Sequence, residues 1–154
     1  MNAHASTFRA WTWQVPGEPE QLRLEMRGAI SPGPGEIVVR NTMIALNPVD
    51  WKVIAASPDE WKPGHVPGVD GVGIVAEVRD GVDVPLGTRV AYHQALGKPG
   101  SFAEYTTVDA DCALVIPDGV SDENAPGIPC PGLTAWQATA KVPDIPNREV
   151  QVTC

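Results

Sequence analysis

The stretch Pro67-Gly68-Val69-Asp70-Gly71-Val72-Gly73 passes without a break into Ile74-Val75-Ala76-Glu77-Val78. The proline and glycines predict a turn, and the β-branched residues that follow predict a buried strand. The letters Gly71 to Ala76 match a dinucleotide-binding loop, but that loop needs a strand before it and a helix after it. Here a Pro-Gly turn precedes the glycines and a β-branched strand follows them, so the order is wrong. We therefore interpret these glycines as points where two chain segments approach closely at a barrel corner.

Strand patterns recur on both sides of this segment. Leu22, Leu24 and Met26 alternate with charged residues, as in a half-buried strand. Trp11 and Trp13 are expected to share one face of an earlier strand. Short strands at this spacing predict a barrel or a sandwich. We predict strands at 8–15, 22–27, 36–46, 71–79, 88–93, 102–108, 113–116 and 149–153, and helical turns at 49–56 and 133–142.

Composition narrows the class of protein. The 154 residues contain 16 prolines and 15 glycines, which disfavour a helical bundle because both residues interrupt helices. A net charge of −8 argues against nucleic-acid binding, which needs clustered Lys and Arg. No apolar run has the length of a membrane span, and residues 1–7 show no signal-peptide pattern. Three widely spaced cysteines predict reduced thiols in the cytoplasm.

The segment Asn47-Pro48-Val49-Asp50-Trp51-Lys52 is a candidate binding site. Pro48 restricts Asn47 to an extended backbone, which holds its amide in one direction at a strand end. Lys52 follows about one helical turn later, and an amide beside an ammonium can orient a carbonyl or a carboxamide. The alternative is that Asn47 and Asp50 only cap the start of a helix.

Other candidate residues are weaker. Thr134 places a hydroxyl in the first turn of the second helix, where it could lie beside a ligand or simply start the helix. Tyr92 and His93 end a strand and could line a cleft. His4, His65 and His93 lack the short spacing of zinc ligands, so we predict no metal.

Five motifs occur in the order and with the spacing of one family. They are Asn47–Lys52, Pro67–Val75, Gly87–Val90, Gly100–Tyr105 and Gly132–Trp136. With these motifs the chain resembles the N-terminal GroES-like catalytic domain of the zinc-independent medium-chain dehydrogenases/reductases, in the quinone oxidoreductase and alkenal reductase branch. The resemblance implies a mainly β fold, a partly open β-barrel with short peripheral helices.

The same resemblance makes the missing residues informative. Zinc-dependent relatives carry Cys at the position of Asn47 and a His-Glu pair at Val69 and Asp70. A proton-relaying hydroxyl in those relatives falls at Val49, and a four-cysteine lobe would follow His93. The resemblance therefore implies that both zinc sites are absent.

In the zinc-free branch, NADPH binds between this domain and a Rossmann domain, and quinones or conjugated carbonyls (enones) are reduced by hydride transfer. Carried over, Asn47 and Thr134 would lie beside the nicotinamide, and Lys52 beside the nicotinamide or the substrate. Tyr92 and His93 would be minor residues of the cleft wall.

The resemblance also divides the chain. Residues 1–128 would be the GroES-like domain, and 129–154 the connecting helix and first strand of a Rossmann domain that is otherwise absent. Because the cofactor domain positions NADPH, we expect the 154 residues alone to be inactive. The alternative function is a stand-alone binding or assembly module. Apolar surface left uncovered near Trp136 would then promote self-association.

Overall fold

The computed structural model describes residues 6–141. The strands are β1 Thr7–Thr12, β2 Arg23–Gly28, β3 Glu36–Ala45, β4 Asp70–Val78, β5 Arg89–His93, β6 Tyr105–Asp109 and β7 Ala113–Val115. The helices are α1 Pro48–Ala56 and α2 Leu133–Ala140. Short 3-10 turns occupy Pro19–Gln21, Ala110–Cys112 and Ala125–Gly127, and a π-helical turn, Ile128–Gly132, leads directly into α2.

Five strands form one antiparallel sheet in the order β6-β3-β4-β5-β7, and β1 pairs with β2 in a separate ribbon. Single bridges connect β1 and the residue that follows it to the rest of the domain, Ala10 to Ala103 and Trp13 to His65. Within residues 6–141 the strands do not close into a complete barrel. The mainly β, partly open architecture expected from the sequence is confirmed.

The glycines of the segment Pro67–Gly73 serve a turn and the close packing of two strands, as the sequence predicts. Gly68 has a φ of +100°, a conformation that side chains with a Cβ rarely adopt. Gly73 lies in β4 opposite Asn41 of β3. A Cβ added to Gly73 would lie only 2.2 Å from the carbonyl oxygen of Arg40, so the two strands can approach only because the side chain is absent.

The core has two main parts. The buried β-branched residues of β3, β4 and β5 pack around Tyr92 inside the five-stranded sheet. A second cluster lies under the ribbon, where Trp13 donates its indole N–H to the carbonyl of Ile54 at 3.0 Å and its ring meets the Trp61 ring edge to face. This second cluster fixes α1 against the ribbon. Its members are Phe8, Ala10, Trp13, Ile54, Trp61, Val66 and Phe102.

The predicted faces of the ribbon are wrong, although both strands form. Phe8, Ala10 and Thr12 of β1 point inward, which leaves Trp11 44% exposed while Trp13, beyond the end of the strand, is buried. In β2 the apolar alternation faces outward, with Leu24 53% and Met26 63% exposed. Leu24 is the partner of Trp11 across the ribbon, so both lie on its outer face.

The predicted strand at 149–153 lies outside the described residues. The predicted helix at 133–142 is seen as α2, Leu133–Ala140. Among residues 6–141, no helix is both long and apolar enough to cross a membrane.

Candidate active site at the ends of the central strands

Three polar side chains meet where the central strands of the sheet end. Asn47 follows β3 by two residues, Asp70 begins β4 and His93 ends β5. In the antiparallel register Asp70 lies opposite Ala45 on one side and opposite His93 on the other. The sheet topology therefore brings together residues that are more than twenty positions apart in the sequence.

Asn47 is held from two directions. Its backbone N–H donates to Oδ2 of Asp50 at 2.7 Å, part of a capping box at the start of α1. Its side-chain Nδ2 donates to Oδ2 of Asp70 at 2.8 Å. An ionised carboxylate only accepts hydrogen bonds, so the amide nitrogen must face Asp70. The cap interpretation is confirmed, and the second contact orients the same amide toward the strand ends.

Asp50 is buried, at 3% exposure. Its Oδ1 accepts a hydrogen bond of 3.2 Å from the backbone N–H of Val69. Burial raises the pKa of Asp50, since it disfavours the charged carboxylate, and the negative charge of Asp70 acts in the same direction. The hydrogen bonds from Asn47 and Val69 oppose this increase.

Asp70 and His93 form a close pair. His93 Nδ1 lies 2.6 Å from Asp70 Oδ1, with the carboxylate fully buried and the imidazole 49% exposed. Because Asp70 accepts, the proton of a neutral His93 ring belongs on Nδ1. The buried carboxylate therefore fixes the orientation of a half-exposed ring.

Cys130, in the π-helical turn before α2, completes a group with this pair. One ligand atom each from Asp70, His93 and Cys130 lie within 4.8 Å of one another. From the sequence, His93 was weighed with Asp50 and Asp70 as a metal site and set aside, and Cys130 was not connected with them. The approach of Cys130 depends on a packing that local patterns do not encode.

The other predicted site residues lie in different surroundings. Lys52 is exposed on α1, and its ammonium lies 5.7 Å from the centre of the Trp51 ring. Thr134 is exposed in the first turn of α2. Tyr92 is fully buried and donates its hydroxyl to Asn41 Oδ1 at 2.8 Å, so it belongs to the core and not to an open cleft wall. Burial also raises the pKa of Tyr92 far above its usual value.

Asp70, His93 and Cys130 offer the donor types that zinc prefers, which allows a test of fit. Two ligand atoms about 2.0–2.1 Å from a tetrahedral zinc lie roughly 3.3 Å apart. Asp70 Oδ1 and His93 Nδ1 are 2.6 Å apart, a hydrogen-bond distance. Asp70 Oδ2 is already bound by Asn47. The distance fits two hydrogen-bonded residues and is too short for two ligands of one zinc ion. The absence of zinc stays a prediction, and this distance supports it.

A sequence model of the alcohol dehydrogenase GroES-like domain matches residues 33–118. The chain belongs to this family. The match spans β3 to β7 and therefore includes Asn47, Asp70 and His93. The GroES-like family inferred from the sequence motifs is confirmed, and the zinc-independent branch stays a prediction.

Two proteins are similar to most of this chain. A trans-enoyl reductase of Aspergillus clavatus is 33% identical over 132 residues, which are 77% of this chain and 35% of that protein. The mycobacterial protein Rv1454c, solved with NADPH, is 27% identical with a TM-score of 0.78, covering 90% of this chain and 42% of that one.

A thermostable alcohol dehydrogenase from Pyrobaculum aerophilum is 26% identical with a TM-score of 0.81, covering 89% of this chain and 48% of that one. The chain thus spans about a third of the length of the trans-enoyl reductase, and less than half of either solved structure.

Proposed function

We propose that this chain is the catalytic-domain part of an NADPH-dependent, zinc-free oxidoreductase that reduces quinones or α,β-unsaturated carbonyls by hydride transfer. The observation that carries the proposal is the position of Asn47 where three strands end: its backbone N–H donates to Asp50 and its side-chain amide donates to Asp70. The trans-enoyl reductase relatives support the conjugated-carbonyl class, and the NADPH complex of a structural relative supports the cofactor.

Two residues carry polar groups of the kind that hydrogen-bonds to the nicotinamide of NADPH. Asn47 offers a fixed amide, and Thr134 offers an exposed hydroxyl in the first turn of α2. NADPH would supply the hydride when bound. Without a metal, polarisation of the substrate carbonyl falls to hydrogen-bond donors, and Asn47 and Lys52 are the donors proposed for this role.

The proposal is tested by joining the chain to the remaining two thirds of the Aspergillus clavatus enoyl reductase. NADPH oxidation with a conjugated enoyl substrate, followed by absorbance, is the expected result. Asn47→Ala should lower kcat/KM by about 100-fold, because misplaced reactants commonly cost that much. Unchanged turnover in Asn47→Ala would refute the assignment.

Lys52 has a matched control in Lys62, since both side chains are exposed. Lys52→Met should lower kcat/KM in the joined protein by about tenfold, the loss of one charge-assisted hydrogen bond. Lys62→Met should leave it unchanged. Equal effects of the two substitutions would show that only overall charge matters and would remove Lys52 from the site.

We propose that the 154-residue chain alone does not turn over NADPH, and that its cysteines stay reduced in the cytoplasm. Purified chain mixed with NADPH and a quinone or an enone should show no oxidation above the protein-free rate. Turnover would contradict the need for a separate cofactor domain. Elemental analysis of the same preparation should find far less than one zinc per chain, and stoichiometric zinc would contradict the zinc-free reading.

A second candidate is a binding or assembly module, favoured by the apolar residues exposed around α2. Leu133 is 52%, Trp136 68% and Ile128 48% exposed. A surface of this kind can drive self-association. Light scattering over a concentration series should then show growth in mass that Trp136→Ser abolishes. A sharp monomer at every concentration would exclude this candidate without affecting the first.

A further inference from the structure

The strand β2 forms a free edge of the ribbon. It pairs with β1 over six consecutive residues without a register shift, and among residues 6–141 no other strand pairs with it. Proteins commonly protect such edges with Pro, Lys or a β-bulge, which prevents pairing with another chain. β2 has none of these features, since its sequence is Arg-Leu-Glu-Met-Arg-Gly and its register is unbroken. The edge is therefore open to another strand.

The hydrogen bonds of β1 show which backbone groups lie along this edge. The N–H of Trp11 and the carbonyl of Arg9 bond to the segment 102–104 on the far side of β1, at 2.8 and 3.0 Å. In an antiparallel pair, the backbone groups of two directly opposite residues point either toward each other or away from each other. Leu24 lies opposite Trp11, and Met26 lies opposite Arg9. The N–H and carbonyl groups of Leu24 and Met26 therefore point outward, away from β1.

The side chains along the edge alternate between apolar and charged. Leu24 and Met26 are 53% and 63% exposed on the outer face. Glu25 and Arg27 lie on the opposite face, with their charged atoms 3.8 Å apart. A Cβ added to Gly28 would meet nothing within 4 Å, so there is open space on the outer face at the end of the strand. Because the charges on this edge have opposite signs, a second copy of the same strand can match them.

Charge and strand length exclude most antiparallel registers between two copies of β2. The outward-pointing residues must lie opposite one another, so the twofold axis passes beside a single residue. An axis at Glu25 or at Arg27 would place like charges directly opposite each other, which is destabilising. An axis at Leu24 leaves only three opposed pairs within β2, formed by residues 23–25.

An axis at Met26 satisfies both conditions. It gives five opposed pairs within β2, since residues 24–28 of one copy lie opposite residues 28–24 of the other. Each Glu25 then lies opposite Arg27 of the other copy, and opposite charges in directly opposed positions stabilise a strand pair. Each Leu24 lies opposite Gly28, where the open space accommodates it.

We propose that β2 of one copy pairs with β2 of a second copy, antiparallel and with Met26 opposite Met26, to form a four-stranded sheet across a twofold axis. The interface is a single strand pair, so the dimer is weak and its population depends on concentration. It involves neither Asn47 nor the surface around Trp136, so it is independent of both proposed functions.

Analytical ultracentrifugation of the full chain, over a concentration series up to about 1 mM, tests for this dimer. Every sample carries Trp136→Ser, which removes the apolar ring exposed on α2. The average mass should rise toward twice that of the monomer and no further. A monomer at every concentration, or growth beyond a dimer, would overturn the proposal.

Two lysine substitutions locate the interface. Met26→Lys should keep the chain monomeric, because it places two ammonium groups opposite each other at the axis. Leu86→Lys is the matched control, since Leu86 is 53% exposed and lies outside the ribbon. It should leave the association unchanged, and equal effects of the two substitutions would overturn the proposal.

Charge reversal tests the register. Glu25→Arg and Arg27→Glu should each weaken the dimer about tenfold, since two opposite-charge pairs become two like-charge pairs. The side chains are 38% and 42% exposed, so the fold tolerates both changes. An equimolar mixture of the two variants should recover the native affinity, because every arginine then faces a glutamate of the other chain. A mixture that associates no better than either variant alone would overturn the proposal.

Amide hydrogen exchange followed by NMR tests the backbone contact directly. The N–H groups of Leu24 and Met26 should exchange rapidly in dilute solution and more slowly as the dimer forms. Glu25 is the internal control, since its N–H points toward β1 and should be protected at every concentration. Exchange rates of Leu24 and Met26 that do not change with concentration would overturn the proposal.

Discussion

The substitution Gly73→Ala tests the conclusion that the Gly71-Val72-Gly73 stretch serves strand packing. The new methyl group would lie 2.2 Å from the carbonyl oxygen of Arg40 and 2.7 Å from Cγ1 of Val39. Real Cβ atoms essentially never approach other atoms closer than 3.0 Å, so β3 and β4 must separate by about 0.8 Å, the difference between 3.0 and 2.2 Å. The obstacle is backbone, which cannot rotate away as a side chain can.

This separation has a calculable cost. Lengthening a ladder hydrogen bond from about 2.9 Å to beyond 3.5 Å in effect removes it, and each lost bond costs about 1 kcal/mol. Two such bonds, with strain in the packed core of about 1–3 kcal/mol, give a total of about 3–5 kcal/mol. The better strand propensity of alanine returns only about 0.5–1 kcal/mol. At roughly 2–4 °C per kcal/mol for a chain of this size, Tm should fall by about 5–15 °C.

Thermal unfolding followed by circular dichroism measures this change, with Gly97→Ala as the matched control. Nothing lies within 4 Å of a Cβ added to Gly97, so its Tm should stay within about 2 °C of the native value. If Gly73→Ala unfolds at the same temperature as Gly97→Ala, the close approach of β3 and β4 is wrong. The interpretation of these glycines would then need another basis.

Two further predictions concern buried polar groups. Tyr92→Phe leaves Asn41 Oδ1 without its 2.8 Å donor, and should cost about 1–2 kcal/mol in chemical denaturation; no loss would contradict that bond. Burial lowers the pKa of His65 to about 4, so folding keeps His65 neutral and stability should fall as pH drops from about 6.5 to about 4. In His65→Phe, the fall in folding stability over this pH range should be smaller by roughly 1 kcal/mol. This is less than the full pKa shift would give, because the ring is only half-buried. Identical stability–pH profiles for the two proteins would contradict the prediction.

The strand positions were predictable because their signals are local. Glu36–Ala45 and Asp70–Val78 are rich in β-branched residues and bounded by Pro and Gly, which is sufficient to locate β3 and β4. The start of α1 was predictable for the same reason, since Asn47, Pro48 and Asp50 form a recognisable cap. These features depend on neighbours within a few residues.

The faces of the ribbon were not predictable from alternation alone. A period of two shows that one face of β2 is apolar, but does not show whether that face meets the core. Phe8 and Ala10 of β1 face inward, and the register then places Leu24 beside the outward-facing Trp11. The deciding information is the docking of the ribbon against Trp61 and Phe102, which are distant in sequence.

The candidate site depends on local sequence signals and on contacts between residues distant in sequence. The energetic cost of its buried carboxylates indicates a functional role. Asp50 and Asp70 are buried carboxylates close enough for their charges to interact, an arrangement that costs free energy unless hydrogen bonds offset it. Asn47 offsets part of that cost with one N–H to each. Apolar residues could fill the same space at lower cost, and perturbed buried groups concentrate at functional sites. A groove of about 340 Å³ beside the ribbon has no buried charged group among its lining residues, since Arg9 and Glu104 are paired near the surface. Buried charge is concentrated instead at Asp50 and Asp70, beside Asn47 and His93, and chemistry is expected there.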